Sequence, residues 1–199
     1  ISSIYKQLQK HKGTFAELIR NQSFCIVGNS PCELGKRQGK IIDSFDIVIR
    51  LNEYPETHPE ILDYGKKTDI WAKAPTYREV TPKNNKFKLI LVATSVKNNE
   101  HCANAHELVE DHIESDSKVE LLPDTNRHDL KLMGIERPSL GLSLVYWIYK
   151  LTGPIPKSQV FGFTMTDQHN KTSNSICGKS KIKSDSFPHD WQKEKKILQ

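Results

Sequence analysis

Short apolar runs alternate with helix-like segments along this chain, and that alternation restricts its possible folds more than any other feature. Phe24–Gly28 and Phe87–Thr94 are the clearest runs, and each is followed by small or polar residues. Ser3–Arg20 and Leu140–Leu151 instead place apolar residues at helical spacing. Strands that are separated by helices form parallel sheets covered on both faces. The sequence therefore predicts an α/β protein, a single Rossmann-like domain with a mostly parallel sheet flanked by helices.

The remaining elements continue the alternation. Further strands are predicted at Asp46–Leu51, Thr68–Ala72, Lys118–Leu122 and Gln159–Phe163. Further helices are predicted at Glu33–Lys40, His101–Ile113 and His189–Leu198. Ligands of open parallel sheets bind where strands end and loops begin. We therefore expect a ligand site among the residues that follow Gly28, Leu51, Thr94 and Phe163.

Length, charge and cysteine usage exclude several classes of protein. The 199 residues indicate one domain over residues 1–199, and a net charge of +5 is too small to indicate a nucleic-acid partner. No apolar run approaches the ~20 residues of a membrane span. The four cysteines form no C-x-x-C pair, which favours a reducing cytoplasm, although two disulfides would also fit. The chain does not begin with Met, which leaves room for an upstream anchor and then for the Golgi lumen.

Thr164–Pro188 differs from the rest of the chain because it is rich in Ser, Asn, Lys and Gly and has little apolar content. Loops of this length in a compact domain are usually functional or disordered. Two interpretations stay open: a solvated loop, or a lid over residues 164–188 that closes on an anionic ligand. The lysines that make the segment basic are Lys171, Lys179, Lys181 and Lys183.

The first candidate site follows the strand Phe24–Gly28. Gly28 allows close approach of a ligand to the backbone, and Asn29 and Ser30 add side-chain hydrogen bonds. The N–H groups of a helix start after such a turn hold anions. The pattern matches neither the G-x-G-x-x-G fingerprint nor the Walker loop. An ordinary turn with an Asn or Ser cap is the alternative.

Two further candidates lie at the ends of predicted elements. Arg50 and Asn52 place a charge and an amide at the carboxyl end of the second strand, where a surface pair is the alternative. Pro138, Ser139 and Gly141 lead into the apolar helix. They form a helix start that presents N–H groups to an anion, or serve as a simple cap.

A histidine near the end of the chain is the candidate for acid–base chemistry. His189 stands at a predicted helix start, and histidine is the side chain whose ordinary pKa suits a general base near neutral pH. Glu194 follows five positions later, too far round a helix for a simple i, i+4 pair. By themselves, the two residues are not specific to any chemistry.

Taken in order, these motifs resemble glycosyltransferase family 29, the animal-type sialyltransferases. The long motif of that family reads V-G-N-S, I-D-x-x-D-x-V-I-R-x-N and G-x-x-T-D, and the chain is similar to it at Val27–Ser30, Ile42–Asn52 and Gly65–Asp69. The short motif is similar to Arg137–Gly141 followed by Val160–Phe163, and the very short motif, H-x-x-x-x-E, to His189–Glu194. Together the motifs cover about half of the chain.

The resemblance implies a GT-A-like variant of the fold and an inverting transfer, without a metal, of a 2-keto sugar acid from its CMP donor to a glycan hydroxyl. His189 would be the general base. Asn29 and Asn52 would contact the nucleotide and its phosphate, and Ser139 and Gly141 the ribose or cytosine. With the turn residues, the implied donor-binding set is Gly28, Asn29, Ser30, Asn52, Ser139, Gly141 and His169. His169 lies where the family has a third histidine motif, but the aromatic neighbours of that motif are missing.

The chemistry agrees with this residue set. The donor carries a carboxylate and a phosphate leaving group on its anomeric carbon, so the transition state is oxocarbenium-like and needs one base. Charge develops on the departing phosphate, which polar donors stabilise. The chain has no Asp-x-Asp pair of the type that holds a metal in other nucleotide-sugar enzymes. The lid lysines would neutralise the donor and exclude water.

Departures from the family pattern keep alternatives open. Pro31 and Cys32 replace Gly and Asn, and Leu140 replaces Thr. Cys25 stands where half of the family's disulfide belongs, but Leu142–Leu151 contains no cysteine, so that bond cannot form and a reducing microbial or viral cytoplasm is favoured. The transferred sugar that the resemblance implies is sialic acid or the related 2-keto sugar acid Kdo. A non-catalytic module that binds CMP or glycans on the same fold is the alternative function.

The expected acceptor is an oligosaccharide, lipopolysaccharide, capsule or glycolipid of a cell surface. Variable loops at Glu53–Tyr64 and Pro75–Lys86 would bind it. Because such acceptors lie at a cell surface, we expect a cytoplasmic protein, with peripheral association with a membrane as an additional option.

Overall fold

The computed structural model describes residues 10–56, 58–74, 86–93, 118–163 and 191–198. Its strands are β1 (Phe24–Val27), β2 (Ile47–Leu51), β3 (Ile70–Lys73), β4 (Leu89–Val92), β5 (Val119–Leu121) and β6 (Val160–Phe161). Its α-helices are α1 (Thr14–Asn21), α2 (Gly39–Asp43), α3 (Ile61–Tyr64), α4 (Asp124–Leu132), α5 (Leu140–Thr152) and α6 (Trp191–Leu198). Two short 3-10 turns cover Pro31–Glu33 and Lys157–Gln159.

The described strands form one sheet in the order β5-β4-β3-β2-β1-β6, and every neighbouring pair is parallel. The predicted α/β fold with a parallel sheet and flanking helices is confirmed. The strand order runs outward from β1 to β5 on one side, whereas β6 lies on the other side of β1. Such a reversal opens a crevice at the carboxyl ends of the two strands on either side of it. A ligand is therefore expected in the crevice beyond Val27 and Phe161.

Helices α1 and α5 cover one face of the sheet. The rings of Phe15 of α1 and Trp147 of α5 are in tilted contact, with centroids 4.4 Å apart and planes at 38°, and they pack against Ile26 and Ile49 of the central strands. Every residue of β1 and β2 is buried, which explains why both read as continuous apolar runs rather than alternating ones.

Helices α2 and α3 lie on the opposite face. Ile42 and Tyr64 form a buried cluster there with Cys25 and Val48 of the sheet. Gly39 makes their contact close, because a Cβ at that position would lie 2.7 Å from the carbonyl oxygen of Leu62. These two short helices therefore sit directly under the loop that leaves β1.

Two predicted helices differ from the structure. Ser3–Arg20 is not continuous, because Gly13 adopts a left-handed conformation (φ 91°) and α1 starts only at Thr14. Glu33–Lys40 is wrong, because Gly35 (φ 82°) and Arg37 (φ 53°) interrupt it and separate the 3-10 turn from α2. The predicted helix His101–Ile113 lies outside the described residues.

Helices α3 and α4 were not predicted from the sequence. Helix α4 has a polar composition with few apolar positions, and Asn126 and Leu130 are its buried residues. In the described ranges, no helix is long and apolar enough to cross a membrane.

Candidate active site

Two glycines cross at the crevice between β1 and β6. The amide of Gly28 donates to the carbonyl of Phe161 at 2.8 Å, and the amide of Ser30 donates to the carbonyl of Gly162 at 2.9 Å. A Cβ on Gly28 would lie 2.5 Å from the carbonyl oxygen of Gly162, and a Cβ on Gly162 (φ 67°) would overlap with the carbonyl of Gly28. Both positions therefore require glycine, and the loop after β1 crosses directly over the end of β6.

Two asparagines turn the chain at the ends of β1 and β2. Asn29 donates through Nδ2 to the carbonyl of Leu51 at 2.8 Å, which ties the two strand ends together. Asn52 has a left-handed backbone (φ 48°), a conformation that asparagine tolerates better than most residues. Its Oδ1 accepts from the amide of Ala74 at 2.9 Å. Oδ1 of Asn29 and Nδ2 of Asn52 take no part in these two bonds.

The start of α5 meets these strand ends. Gly141 lies in the first turn of α5, where a Cβ would be 3.0 Å from Cε1 of Phe163 and 3.6 Å from Cδ1 of Leu51. The structure therefore brings together three regions that the sequence analysis singled out separately: the turn after β1, the end of β2 and the start of α5.

A buried carboxylate from α6 caps the start of α5. The Oε1 atom of Glu194 accepts from the amide of Ser139 at 2.7 Å, and Oε2 accepts from the hydroxyl of Ser139 at 2.6 Å. Ser139 in turn accepts from the amide of Leu142 at 3.1 Å. Glu194 is only 3% exposed. A carboxylate at a helix N-terminus interacts favourably with the helix dipole, so this contact fastens α6 to the candidate site.

Arg50 belongs to the fold rather than to the surface. It is fully buried, its Nε donates to the carbonyl of Lys67 at 2.9 Å, and its Nη2 donates to the carbonyl of Tyr64 at 2.7 Å. Burial lowers the pKa of its guanidinium, and the charge of Asp43 opposes that shift. For Arg50, both the expected site charge at the strand end and the alternative of a surface pair are therefore wrong, because its side chain is buried and holds residues 64–67 against β2.

Two carboxylates of the same stretch also serve the fold. Asp43 accepts from the amides of Lys66 and Lys67, with its Oδ1 at 3.0 and 2.9 Å. Asp69 accepts from the amide of Val48 at 2.9 Å and forms an ion pair with Lys67 at 3.5 Å. Asp43, Arg50 and Asp69 thus join neighbouring segments, whereas the neutral residues Asn29 and Asn52 lie at the carboxyl edge of the sheet.

Residues that sequence reasoning missed hold the loop after β1. The hydroxyl of Tyr64 donates to the carbonyl of Ser30 and accepts from the amide of Glu33 at 3.2 Å. Asp63 accepts from the amides of Gly35 and Arg37 at 2.8 Å each, and these two bonds lower the pKa of its carboxyl. The end of the predicted acceptor loop Glu53–Tyr64 is therefore helix α3, whose Asp63 and Tyr64 are buried. The only sequence signal was the Gly65 that ends this helix.

Of the described cysteines, Cys25 and Cys32 form no disulfide bond with each other, and Cys25 is a free thiol, as expected from the absence of a partner in α5. The thiol of Cys25 is fully buried beside the carbonyl of Ile42 at 3.9 Å, and burial raises its pKa to about 12.

The protein is a Rossmann-like α/β protein with a single parallel sheet. Its candidate ligand site lies at one edge of that sheet, where Gly28 and Gly162 cross and where helix α5 begins. Such a site suits a nucleotide-type ligand. The model of glycosyltransferase family 29 (sialyltransferase) matches residues 2–199, and the chain belongs to this family. It is a sialyltransferase-like glycosyltransferase.

A solved mammalian sialyltransferase shares the fold. Its TM-score is 0.63 at 17% sequence identity, and the match covers 98% of this chain and 73% of that chain. A comparison with curated protein sequences finds no significant match.

Several predicted site residues lie outside the described residues, namely His169, His189 and the segment 164–188. The nearest described element to His189 is α6, which begins two residues later at Trp191. Contacts of the remaining donor-binding residues with a donor also stay predictions. Within the described ranges, no group of three His, Cys, Asp or Glu side chains could hold a metal ion. Metal independence stays a prediction as well.

Proposed function

We propose that this chain transfers sialic acid, or the related 2-keto sugar acid Kdo, from its CMP donor to a glycan hydroxyl with inversion. The observation that carries the proposal is the meeting of Asn29, Asn52 and the start of α5 at the switch point of the sheet, in a chain of glycosyltransferase family 29. The acceptor class remains an oligosaccharide, lipopolysaccharide, capsule or glycolipid. We propose that the protein works in the cytoplasm at a membrane surface, with the Golgi lumen as the alternative.

The donor would bind through neutral groups at the sheet edge. Oδ1 of Asn29 and Nδ2 of Asn52 would hydrogen-bond the nucleotide and its phosphate. The hydroxyl of Ser139 already donates to Glu194 and accepts from Leu142, so it would contribute one remaining lone pair to a ribose or cytosine donor group. The amide of Gly141 lies in the first helical turn, where N–H groups have no partner within the helix.

The reaction would need little activation of the acceptor. The C–O bond to the phosphate breaks early, positive charge develops at the anomeric carbon, and the acceptor oxygen attacks from the opposite face as it loses a proton to His189. Fixed dipoles at the phosphate stabilise the developing negative charge without reorganisation. His169 and the lysines of residues 164–188 would add positive charge at the same phosphate.

The test is transfer itself. The protein should release CMP from CMP-sialic acid or CMP-Kdo when acceptor is present, also in excess chelator, and the glycosidic product should have the inverted anomeric configuration by NMR. The change His189→Ala should reduce kcat at least 100-fold, since a positioned general base contributes about 10²–10⁴. His128→Ala is the matched control, because His128 is exposed on α4. Unchanged turnover in His189→Ala would show that the base assignment is wrong.

A non-catalytic module is the second candidate function. The replacements Pro31, Cys32 and Leu140 within the family motifs favour it. It predicts that calorimetry detects CMP binding while no donor and acceptor combination yields product.

A further inference from the structure

The loop after β1, residues 29–37, has almost no regular structure of its own. It contains one 3-10 turn, Pro31–Glu33, and Arg37 has a positive φ of 53°. It also carries two of the departures from the family motif, Pro31 and Cys32. A loop of this kind keeps one conformation only when contacts from other segments determine it.

Glu33 supplies one such contact across the candidate site. The residue is buried (7% exposed), and Oε1 accepts from the amide of Gly162 at 3.2 Å and from the thiol of Cys32 at 3.4 Å. Its other oxygen, Oε2, forms an ion pair with Lys36 at 3.3 Å. The carboxylate thus joins the loop after β1 to the end of β6, 129 positions further along the chain.

The contact closes a ring of hydrogen bonds around the two crossing glycines. The carbonyl of Gly162 accepts from the amide of Ser30, its amide donates to Glu33, and Tyr64 bridges Glu33 and Ser30. Asn29 lies directly before Ser30, so the ring determines where its side chain stands at the sheet edge. Lys36 offsets the charge of Glu33, so the carboxylate does not oppose an anionic donor.

We infer that Glu33 is a positioning residue for the donor: it holds the loop after β1 on the end of β6 and thereby keeps Asn29 in place for the CMP phosphate. The inference rests on the proposed function. The acceptor would bind at other loops, so Glu33 affects donor recognition and not acceptor recognition. A glutamine keeps the oxygen that accepts from Gly162, whereas an alanine leaves that buried amide without a partner.

The experiment compares the variants Glu33→Ala, Glu33→Gln and Glu120→Ala with the wild type. For each protein, kinetics give kcat and the KM of donor and acceptor, calorimetry gives the affinity for CMP, and thermal denaturation gives the midpoint of unfolding. Glu120 is the matched control: it is 4% exposed and accepts from the amides of Gly13 and Phe15 at 2.8 Å each, but it lies on β5 at the opposite edge of the sheet. Glu33→Ala should raise the donor KM and weaken CMP binding at least tenfold with an unchanged acceptor KM. Glu33→Gln should stay within about threefold of the wild type, and Glu120→Ala should lower the thermal midpoint without changing donor KM.

Tyr64→Phe keeps the test decisive if Glu33→Ala does not fold, because it removes the bridge to Ser30 and should also raise the donor KM selectively. A normal donor KM in these variants of an active protein would overturn the inference. Equal rises in donor and acceptor KM, or the same donor effect in Glu120→Ala, would show a general structural role and overturn it too. A wild-type protein that neither binds CMP nor transfers sugar would instead refute the proposed function, and the inference with it.

Discussion

The contact between Glu194 and Ser139 should stabilise both the fold and the proposed active site. Glu194→Ala leaves the buried amide of Ser139 without a partner, which costs about 1–3 kcal/mol. Loss of a carboxylate at the start of α5 adds about 0.3–1 kcal/mol. The expected loss in the free energy of unfolding is therefore about 1.3–4 kcal/mol. In a domain of this length, each kcal/mol lowers Tm by about 2–4 °C, so Tm should fall by roughly 3–16 °C.

Two variants refine the test. Glu194→Gln keeps an oxygen for the amide of Ser139 and loses the charge, so it should cost less than the alanine. Glu136→Ala is the control, because Glu136 forms an exposed ion pair with Lys131 and such pairs contribute less than about 1 kcal/mol. Urea denaturation gives the free energies. Since α6 begins two residues after His189, looser docking of α6 should lower kcat more than it raises the donor KM.

A double-mutant cycle decides the argument. Ser139→Ala and Glu194→Gln remove opposite sides of one hydrogen-bonded pair, so their effects should be non-additive by about 1 kcal/mol or more. Non-contacting sites add within about 0.5 kcal/mol. Additive effects, or a Glu194→Ala protein as stable as the wild type, would refute the claim that this carboxylate docks α6.

Three further predictions concern the glycines and cysteines of the structure. Gly162→Ala should destabilise by about 2 kcal/mol or more in urea and abolish CMP binding, because its Cβ would overlap with Gly28. Gly13→Ala is the control, because Gly13 also has a positive φ (91°) in the left-handed region but open space around it, so it should cost only the ~1 kcal/mol of a left-handed alanine. Maleimide at pH 8 should label Cys32 and spare Cys25, as peptide mass spectrometry would show; equal labelling would contradict the burial of Cys25. The pKa of Cys25 is raised from 9.0 to about 12, so above pH 9 the folded state keeps a proton that the unfolded state loses. The free energy of unfolding should therefore fall between pH 9 and 12. It should fall less steeply in Cys25→Ala, which lacks the thiol.

The sheet was predictable because its strands carry their own signal. β1 and β2 are buried on both faces, so each reads as an unbroken apolar run that local pattern detects. The predicted helix Glu33–Lys40 failed for the opposite reason. Its conformation depends on Asp63, which bonds to the amides of Gly35 and Arg37 from 28 and 26 positions away. No local pattern contains that information.

The candidate site was predictable only in part. The turn after β1, Asn52 and the helix start at Ser139 could be found because strand ends and helix starts leave local signs in the sequence. The contacts that hold these regions in place could not be predicted. Glu33 bonds to Gly162 across 129 positions, and Glu194 bonds to Ser139 across 55. A carboxylate in a sequence does not reveal whether it faces solvent, a ligand or a distant amide.

Within the long motif, the charged Arg50 and the neutral asparagines lie in different places, and this difference bears on how the site would bind an anionic donor. Arg50, which the sequence placed at the sheet edge, bonds inward to the carbonyls of Tyr64 and Lys67. The side chains at the edge itself include Asn29 and Asn52. They are held in place by hydrogen bonds to the backbone of Leu51 and Ala74, respectively. Neutral dipoles that are fixed before the reaction stabilise charge on a leaving phosphate without binding the ground state as tightly as a cation would. Under the proposed function, the asparagines would serve the departure of CMP, and their replacement by aspartate should lower kcat as well as donor affinity.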